Sequence, residues 1–346
     1  MAISLPIEFE FGDDLAVVGK PHLPYEGESI VRGTIKFPYD YLAGHKLFAA
    51  IKGCPHAHCK VTSIDTSAAE ALDGVKAVIT YKDNPTYDTD EILVWGWEVA
   101  AVAATDPYIA ERAIDLIEVE YEVLPFILDP EEAMEPGAPL VGTFPDGNIT
   151  ANPSRNTRGD IEAGFAEADV TIEITHPFLR PHTQNTIEPC AGIAWWEGDH
   201  VYGYDQNQNP HGSNRTYASQ LGVNQSRCHI RATSGTGGYG GGGQTNEPVL
   251  CGILSKMTGM PVAYQRTRRL QTIRRRNHYS ANGWVKMGCK NDGTMTAMHV
   301  KWYSWGGFNA ARGNGWENIE CTYNLANVEQ EIYGVATNTG FGAGYR

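Results

Sequence analysis

Ser234-Gly235-Thr236-Gly237-Gly238-Tyr239-Gly240-Gly241-Gly242-Gly243-Gln244 is the stretch on which the reading of this chain turns. Seven of the nine residues from Gly235 to Gly243 are glycine. Such a run builds no core and loses much backbone entropy on ordering. With no Cβ in the way, its consecutive backbone N–H groups stand open to an oxyanion, a phosphate or a metal-oxo group. Two readings follow: a flexible linker, or a loop that lets a bound group approach the main chain. The flanks favour the loop. Cys228-His229-Ile230-Arg231-Ala232 alternates as a strand does, and Pro248-Val249-Leu250-Cys251-Gly252-Ile253-Leu254 opens an apolar helix that stops at Gly259. The Gly-Lys-Ser/Thr ending of a P-loop is absent, and no acidic residue follows at the distance that a dinucleotide fold requires.

The chain has 346 residues, room for two or three domains, and its 42% hydrophobic and 20% charged residues place it among globular proteins. Mean hydropathy is −0.34 and no apolar run reaches a membrane-spanning length. The opening Met1-Ala2-Ile3-Ser4-Leu5-Pro6 has neither the basic region nor the apolar core of an export signal, so a cytoplasmic location is expected. A net charge of −14 argues against nucleic acid and anionic membranes as partners. One basic run, Arg266-Thr267-Arg268-Arg269 with Arg274-Arg275-Arg276, stands against that balance. No aromatic platform interleaves it, so it reads as a solvated face or a set of structural ion pairs.

Seven cysteines, an odd count, do not suggest a disulfide framework. Cys54-Pro55-His56-Ala57-His58-Cys59 carries zinc-type ligands, but no second knuckle accompanies it. Its neighbours Phe48-Ala49-Ala50-Ile51 and Val61-Thr62-Ser63-Ile64 read as strands, which leaves little room for a folded metal loop.

An α+β order runs along the chain. Residues 1–25 form an arm, and 26–141 alternate strands with helices, including Val75–Thr80, Val99–Ala104, a helix opened by Asp106-Pro107 and the strand Glu118–Val123. Residues 142–158 carry turn signals and little pattern and are read as a linker. The second module, 159–346, opens with a helix capped by Asp160 and continues with strands at Val170–Thr175 and Gly192–Trp196. A helix from Asn209-Pro210 to Leu221 follows, then the glycine loop, then a strand pair over Ser280–Met287 and Met295–Trp305 turned at Asn291-Asp292-Gly293. From Ala311 the chain is rich in Gly and Asn.

Taken together, these residues resemble a known family. Ser63-Ile64-Asp65-Thr66-Ser67-Ala68-Ala69 with Gly74-Val75-Lys76-Ala77-Val78-Ile79-Thr80 is similar to the hammerhead domain of the molybdenum hydroxylases, the relatives of xanthine dehydrogenase, aldehyde oxidase and carbon monoxide dehydrogenase. Ile117-Glu118-Val119-Glu120-Tyr121-Glu122-Val123-Leu124-Pro125 closes that domain in the same style. Glu188-Pro189-Cys190-Ala191 and Gln206-Asn207-Gln208-Asn209-Pro210-His211 resemble the opening of the family's first molybdopterin-binding domain. Gly237-Gly238-Tyr239-Gly240-Gly241 resembles its Gly-Gly-Phe-Gly-Gly loop, and Thr337-Asn338-Thr339 with Gly344-Tyr345-Arg346 resembles its Thr-Asn and Tyr/Phe-Arg segment. The likeness covers nearly the whole chain from about Ile30 onward. The family has a Ser-Pro-His-Ala-His-Ala-like strand where Cys54 to Cys59 lies, which implies that the histidines are structural.

The resemblance implies the N-terminal half of a split molybdenum subunit, because the family's large subunit continues beyond Arg346 to a second molybdopterin-binding domain. It implies a molybdenum-molybdopterin cofactor, in the cytosine dinucleotide form, shared with a partner chain that carries the C-terminal half. It also implies 2Fe-2S and FAD on an iron–sulfur subunit and a flavin subunit. Gln208 matches the glutamine beside the family's apical oxo ligand, and Arg346 its substrate-facing arginine. The backbone of Gly237, Gly238, Tyr239, Gly240 and Gly241 would face the cofactor. Gly242, Gly243 and Gln244 would form a substrate wall, with Asn246 and Glu247 as further polar candidates or helix caps. Xanthine dehydrogenases carry Lys-Glu where this chain has Gly242-Gly243, and many relatives a histidine where it has Gln184. Those departures disfavour purines and imply a cyclic or aromatic substrate for a hydroxylase or dehydrogenase. A hydratase or reductase of a cyclic compound, or a structural subunit without catalysis, are the other readings.

Overall fold

A computed structural model describes residues 14–42, 44–84, 89–144, 146–150, 154–176, 183, 185–233, 235, 237–239, 246–274, 277–278, 280–308 and 323–343. It divides into two compact units, Met1–Lys36 and Phe37–Arg346. Among its described residues the first unit holds one short helix, α1 (Gly27–Val31).

The second unit begins with β1 (Leu47–Gly53), β2 (Cys59–Asp65), α2 (Ser67–Glu70), β3 (Val75–Thr80), β4 (Glu91–Ile92), β5 (Glu98–Ala104), α3 (Pro107–Leu116) and β6 (Glu118–Val123). It continues with β7 (Ser154–Arg158), α4 (Ile161–Ala166), β8 (Val170–His176), β9 (Ala191–Glu197), β10 (His200–Asp205), α5 (Pro210–Gln220), β11 (Cys228–Ala232), α6 (Glu247–Thr258), β12 (Val262–Gln265) and α7 (Arg268–Arg274). The last strands are β13 (Asn277–His278), β14 (Ser280–Cys289), β15 (Met295–Trp305), β16 (Asn327–Val335) and β17 (Gly342–Ala343). Helix boundaries follow the local chemistry. Asp106 caps α3 by accepting from the Tyr108 N–H, with Pro107 in the first position. Gly259 ends α6 in the left-handed region at φ +67°. Among the described residues no helix is long and apolar enough to cross a membrane.

The main sheet has seven strands in the order β11-β10-β9-β12-β1-β5-β3. Its seam is a parallel pairing of β1 with β12, Leu47 opposite Val262 and Phe48 opposite Ala263. The two halves of the chain therefore share one sheet. Every residue of β5 is buried, and its alternation serves both faces. Ala101 and Ala103 pack with Tyr217 and Ala218 of α5 and with Val249, Leu250 and Leu254 of α6. Ala100, Val102 and Ala104 pack with Ala69 of α2 and Ala110, Ala113 and Ile114 of α3. Alanines on both faces let the helices approach closely. Full burial of a leucine such as Leu254 contributes about 1.5–3 kcal/mol to this core.

A second sheet has the order β7-β16-β15-β14-β8. Its β14–β15 hairpin turns where Asn291-Asp292-Gly293 indicates, with Gly293 at φ +89°. Two segments differ from the sequence reading. Within 142–158, read as a linker, β7 pairs antiparallel with β16, from Arg158 opposite Val328 to Ser154 opposite Ile332. Asn148 is buried there, accepting from the Val141 N–H at 2.7 Å and donating to the Ala133 and Pro139 carbonyls at 2.9 Å each. Order in this segment comes from a partner strand and a buried amide, so its own pattern carries no signal. After Ala311, where the sequence reading assigns no strand, β16 runs parallel to β15 with Val328, Gln330 and Ile332 facing inward. The buried Gln330 hides that alternation from a hydrophobicity reading.

The Cys54–Cys59 segment is the turn between β1 and β2. His58 Nδ1 lies 2.6 Å from the Pro125 carbonyl oxygen and Nε2 lies 3.0 Å from Glu91 Oε1. The Cys54 and Cys59 sulfurs sit 3.3 Å apart, and burial raises the pKa of both thiols. Protonated thiols and an engaged imidazole suit packing better than zinc ligation.

Candidate functional site

β10 and β11 run parallel, from Val201 opposite Cys228 to Asp205 opposite Ala232. Both chains therefore leave the sheet at the same end, where open α/β sheets place their sites. The segment after β10 carries Gln206, Asn207 and Gln208, and the segment after β11 carries the glycine loop. The Asp205 main-chain carbonyl ties them, accepting from the Thr233 N–H at 2.9 Å and from the Thr233 hydroxyl at 3.3 Å. Asn209 then caps α5, its Oδ1 accepting from the Gly212 N–H at 3.2 Å, with Pro210 in the first turn.

Gln208 and the glycine loop meet directly. A Cβ built on Gly238 would lie 2.4 Å from Gln208 Nε2 and 2.8 Å from its Cδ, so a side chain there would displace the end of Gln208 from the loop. A Cβ on Gly237, at φ +88°, would fall 2.6 Å from Cζ of Tyr239, whose ring folds back over the loop. Tyr239 itself sits at φ +48°, a left-handed conformation that costs a non-glycine residue about 1–2 kcal/mol. Gln206 is buried beside Gly235, and its Oε1 has no hydrogen-bond partner among the described residues. Gly240, Gly241, Gly242, Gly243, Gln244, Gln184 and Arg346 lie outside the described residues.

The far end of the loop is held differently. Asn246 precedes α6 without a side-chain cap, and Glu247 opens the helix with its carboxylate bound to Arg266 Nε. Arg266 also reaches Glu98 at 3.4 Å, and Arg274 reaches the other oxygen of Glu98 at 3.0 Å while lying 4.7 Å from the centroid of the Trp97 ring. All four charged side chains are at most 10% exposed. The basic run is thus partly a buried ion-pair network. Arg268 has another use, donating to the Thr186 and Ile187 carbonyls ahead of Glu188-Pro189-Cys190. Asn338 of the Thr-Asn segment is buried and bridges two distant strands of chain, accepting from the Ile127 N–H and donating to the Leu93 carbonyl, each at 3.0 Å.

The donor set at the loop consists of a neutral amide and backbone groups. Among the described residues no group of three or more His, Cys, Asp or Glu side chains is placed to hold a metal ion. Neutral N–H donors around a glycine-lined approach fit an anionic group that brings its own metal ligands, and they do not fit a bare cation. A surface cleft of about 490 Å³ lies at the other end of α6, lined by Trp195, Trp196, Arg227 and Lys256, and no loop residue contributes to it. Sequence reasoning missed Asp205, Asn207 and Tyr217, which hold the Gln208 turn. The available signal was the run of polar residues at the end of a buried strand.

Comparison with known proteins identifies the family and the fold. The family model for the molybdopterin cofactor-binding domain matches residues 144–346, and the model for the aldehyde oxidase and xanthine dehydrogenase a/b hammerhead domain matches residues 32–125. The nicotinate dehydrogenase large molybdopterin subunit of Eubacterium barkeri is 29% identical, over 97% of this chain and 82% of that subunit. The xanthine dehydrogenase molybdenum-binding subunit of Escherichia coli O157:H7 is 28% identical over 77% of this chain and 38% of its own length. The quinoline 2-oxidoreductase of Pseudomonas putida 86 has the same fold, with a TM-score of 0.84 at 22% identity over 95% of this chain and 45% of that one. The chain spans less than half the length of most curated relatives that it matches. The chain belongs to the molybdopterin cofactor-binding family of the molybdenum-dependent aldehyde oxidase and xanthine dehydrogenase type.

Proposed function

We propose that this chain forms the glycine-loop side of a molybdopterin site in a cytoplasmic hydroxylase or dehydrogenase acting on a cyclic or aromatic, non-purine substrate. The observation that carries the reading is the packing of the Gln208 amide on Gly238, which brings together two motifs thirty residues apart. Gln208 Nε2 would donate to the group, and the backbone N–H groups of Gly238 and Tyr239 would serve as further donors. Gly237, Gly240 and Gly241 are assigned to the same loop by sequence, where they bring no side chains of their own. When bound, the molybdenum group supplies a metal-activated hydroxide and accepts two electrons. The chain's own part is to orient the group and to present preorganised donors where negative charge develops.

Arg346 is assigned to a substrate oxygen, which its planar fork suits. The rest of the site is assigned to a second molybdopterin-binding domain. Iron–sulfur and FAD subunits carry the electrons away, and the pterin is taken in its cytosine dinucleotide form. The substrate class rests on Gly242 and Gly243, which bring neither charge nor side chain to the wall assigned to them. Relatives named for nicotinate and quinoline are consistent with a ring substrate, while a relative named for xanthine gives no support for excluding purines.

Gln208→Ala in the holoenzyme tests the reading. Turnover should fall while KM changes little, because the donor serves the metal group rather than the substrate. Wild-type turnover in that variant would overturn it. Assay of the holoenzyme with an artificial electron acceptor against purines, N-heterocycles, aldehydes and cyclic enones tests the substrate class. Efficient xanthine oxidation would overturn the argument from Gly242 and Gly243.

A further inference from the structure

Asp205, Asn207 and Tyr217 have no part in that reading, yet they hold the turn that carries Gln208. Asp205 ends β10 with its side chain wholly buried. Its Oδ2 accepts from the Tyr217 hydroxyl of α5 and from Asn207 Nδ2, the latter at 2.8 Å. The other end of the Asn207 amide, Oδ1, accepts the Asn209 backbone N–H at 2.8 Å. The main chain of Asp205 takes the Thr233 N–H and hydroxyl. One residue therefore joins three segments: the Gln208 turn, helix α5 and the entry to the glycine loop.

Burying a carboxylate is tolerated where several donors converge on it. Two donors from different segments on one buried carboxyl oxygen fix the relative place of those segments, which suits a part whose task is alignment. Alignment is demanding here. Gln208 is exposed and its side chain flexible, so its place against Gly238, where an added Cβ would lie 2.4 Å from Nε2, depends on the turn that carries it. Misplacement by about 1 Å is enough to cost a reaction heavily.

We propose that Asp205, acting with Asn207 and Tyr217, is the positioning residue that fixes the Gln208 amide against the glycine loop. The proposal rests on the assignment of Gln208 to the molybdenum group. Nothing in it requires any of the three to touch that group.

The test is a double-mutant cycle in the holoenzyme, with hydrogen exchange on the full chain free of cofactor. Asn207→Ala should lower kcat about 10- to 100-fold, the range for partners that orient a group at a metal site, with KM within about twofold. Molybdenum content per chain should stay at the wild-type level while the Mo(V) electron-paramagnetic-resonance signal shifts. In a Gln208→Ala background, Asn207→Ala should cause no further loss, because the residue acts through Gln208. Tyr217→Phe deletes one hydroxyl and keeps the ring, so it serves if Asn207→Ala fails to fold. In that variant amides of 206–209 and 233–239 should exchange faster, with those of β8 unchanged. Full additivity of Asn207→Ala with Gln208→Ala, or unchanged exchange in Tyr217→Phe, would overturn the proposal. A silent Gln208→Ala would instead overturn the assignment of Gln208, and the exchange measurement would still decide the positioning.

Discussion

The glycine loop is anchored by two unlike devices. Its entry, at Thr233, is tied to the main-chain carbonyl of Asp205, whose single carboxylate takes the Tyr217 hydroxyl and the Asn207 amide. Its exit, at Glu247, is locked by four buried charges, Glu247, Arg266, Glu98 and Arg274. The exit joins β5, β12, α6 and α7, and so lies across the seam where the two halves of the chain share a sheet. The entry holds the turn whose Gln208 side chain reaches the loop. Charges are concentrated where the halves are fastened, and neutral donors where another group approaches. A paired charge lattice resists displacement and tolerates no missing member. A set of neutral donors can turn toward an anion without a fixed cation competing for it. Mutations at the exit should therefore act on stability, and mutations at the entry on loading and turnover.

The largest effect should come from Arg266→Met, which leaves the buried Glu247 carboxylate facing no cation and removes one of the two partners of Glu98. Breaking a buried pair in this way costs about 3–5 kcal/mol. Urea unfolding of the full chain should display a midpoint lowered accordingly, with the slope kept. A loss below about 1 kcal/mol would erase the contrast between the two anchors.

Acid provides a second probe of the exit. Burial pushes the Glu98 carboxyl up, but Arg274 and then Arg266 outweigh it and hold its pKa below the ordinary value of 4.5. A depressed folded pKa means that the unfolded chain binds the proton more readily. The stabilisation from Glu98 is therefore complete above the ordinary carboxylate range and is lost as pH falls through the folded value. Glu98→Gln should destabilise the chain at neutral pH and flatten its acid loss of stability. A variant whose pH–stability curve runs parallel to that of the wild type would assign the acid slope to other groups.

At the entry, Gly238→Ala drives a methyl group into the Gln208 amide. Its stability should change by about 1–2 kcal/mol, because Gln208 is exposed and free to swing away. Cofactor content should fall much further than stability does. Normal molybdenum and pterin content in the purified variant would mean that the loop does not approach the group.

Much of this arrangement is legible in the residues. The strand Cys228–Ala232, the cap at Asn209 with Pro210, and the stop at Gly259 each declare themselves by local rules, and together they bracket the site. The ion-pair network was legible only as a class. Arg266 and Arg274 read as candidates for structural pairs, but their partner Glu98 is 168 and 176 residues away. No local pattern encodes so distant a contact. Strand β16 was missed for the opposite reason, since its inward positions include Gln330, whose burial depends on a neighbouring strand. Asp205 was overlooked because a carboxylate at a strand end usually marks a solvated turn, whereas here three segments close over it.

The smallest effect should belong to Tyr239, where the family motif that the loop resembles has phenylalanine. Its hydroxyl has two readings: a donor into the site, or a bystander on a ring that packs on the loop. The ring folds back over Gly237, whose added Cβ would lie 2.7 Å from the hydroxyl oxygen. That placement turns the hydroxyl toward its own loop. The backbone at φ +48° is the same for either ring, so a change to phenylalanine neither relieves nor adds strain. Tyr239→Phe should therefore shift stability by no more than about 0.5 kcal/mol, the range for surface changes that touch no special feature. Turnover should remain within about threefold of the wild type, well short of the factor expected where a preorganised donor is removed. A loss of a hundredfold with cofactor content intact would make the hydroxyl a working donor. The entry would then rely on a side chain that phenylalanine-bearing relatives lack, and the contrast between a charged exit and an amide-lined entry would have to include a phenol.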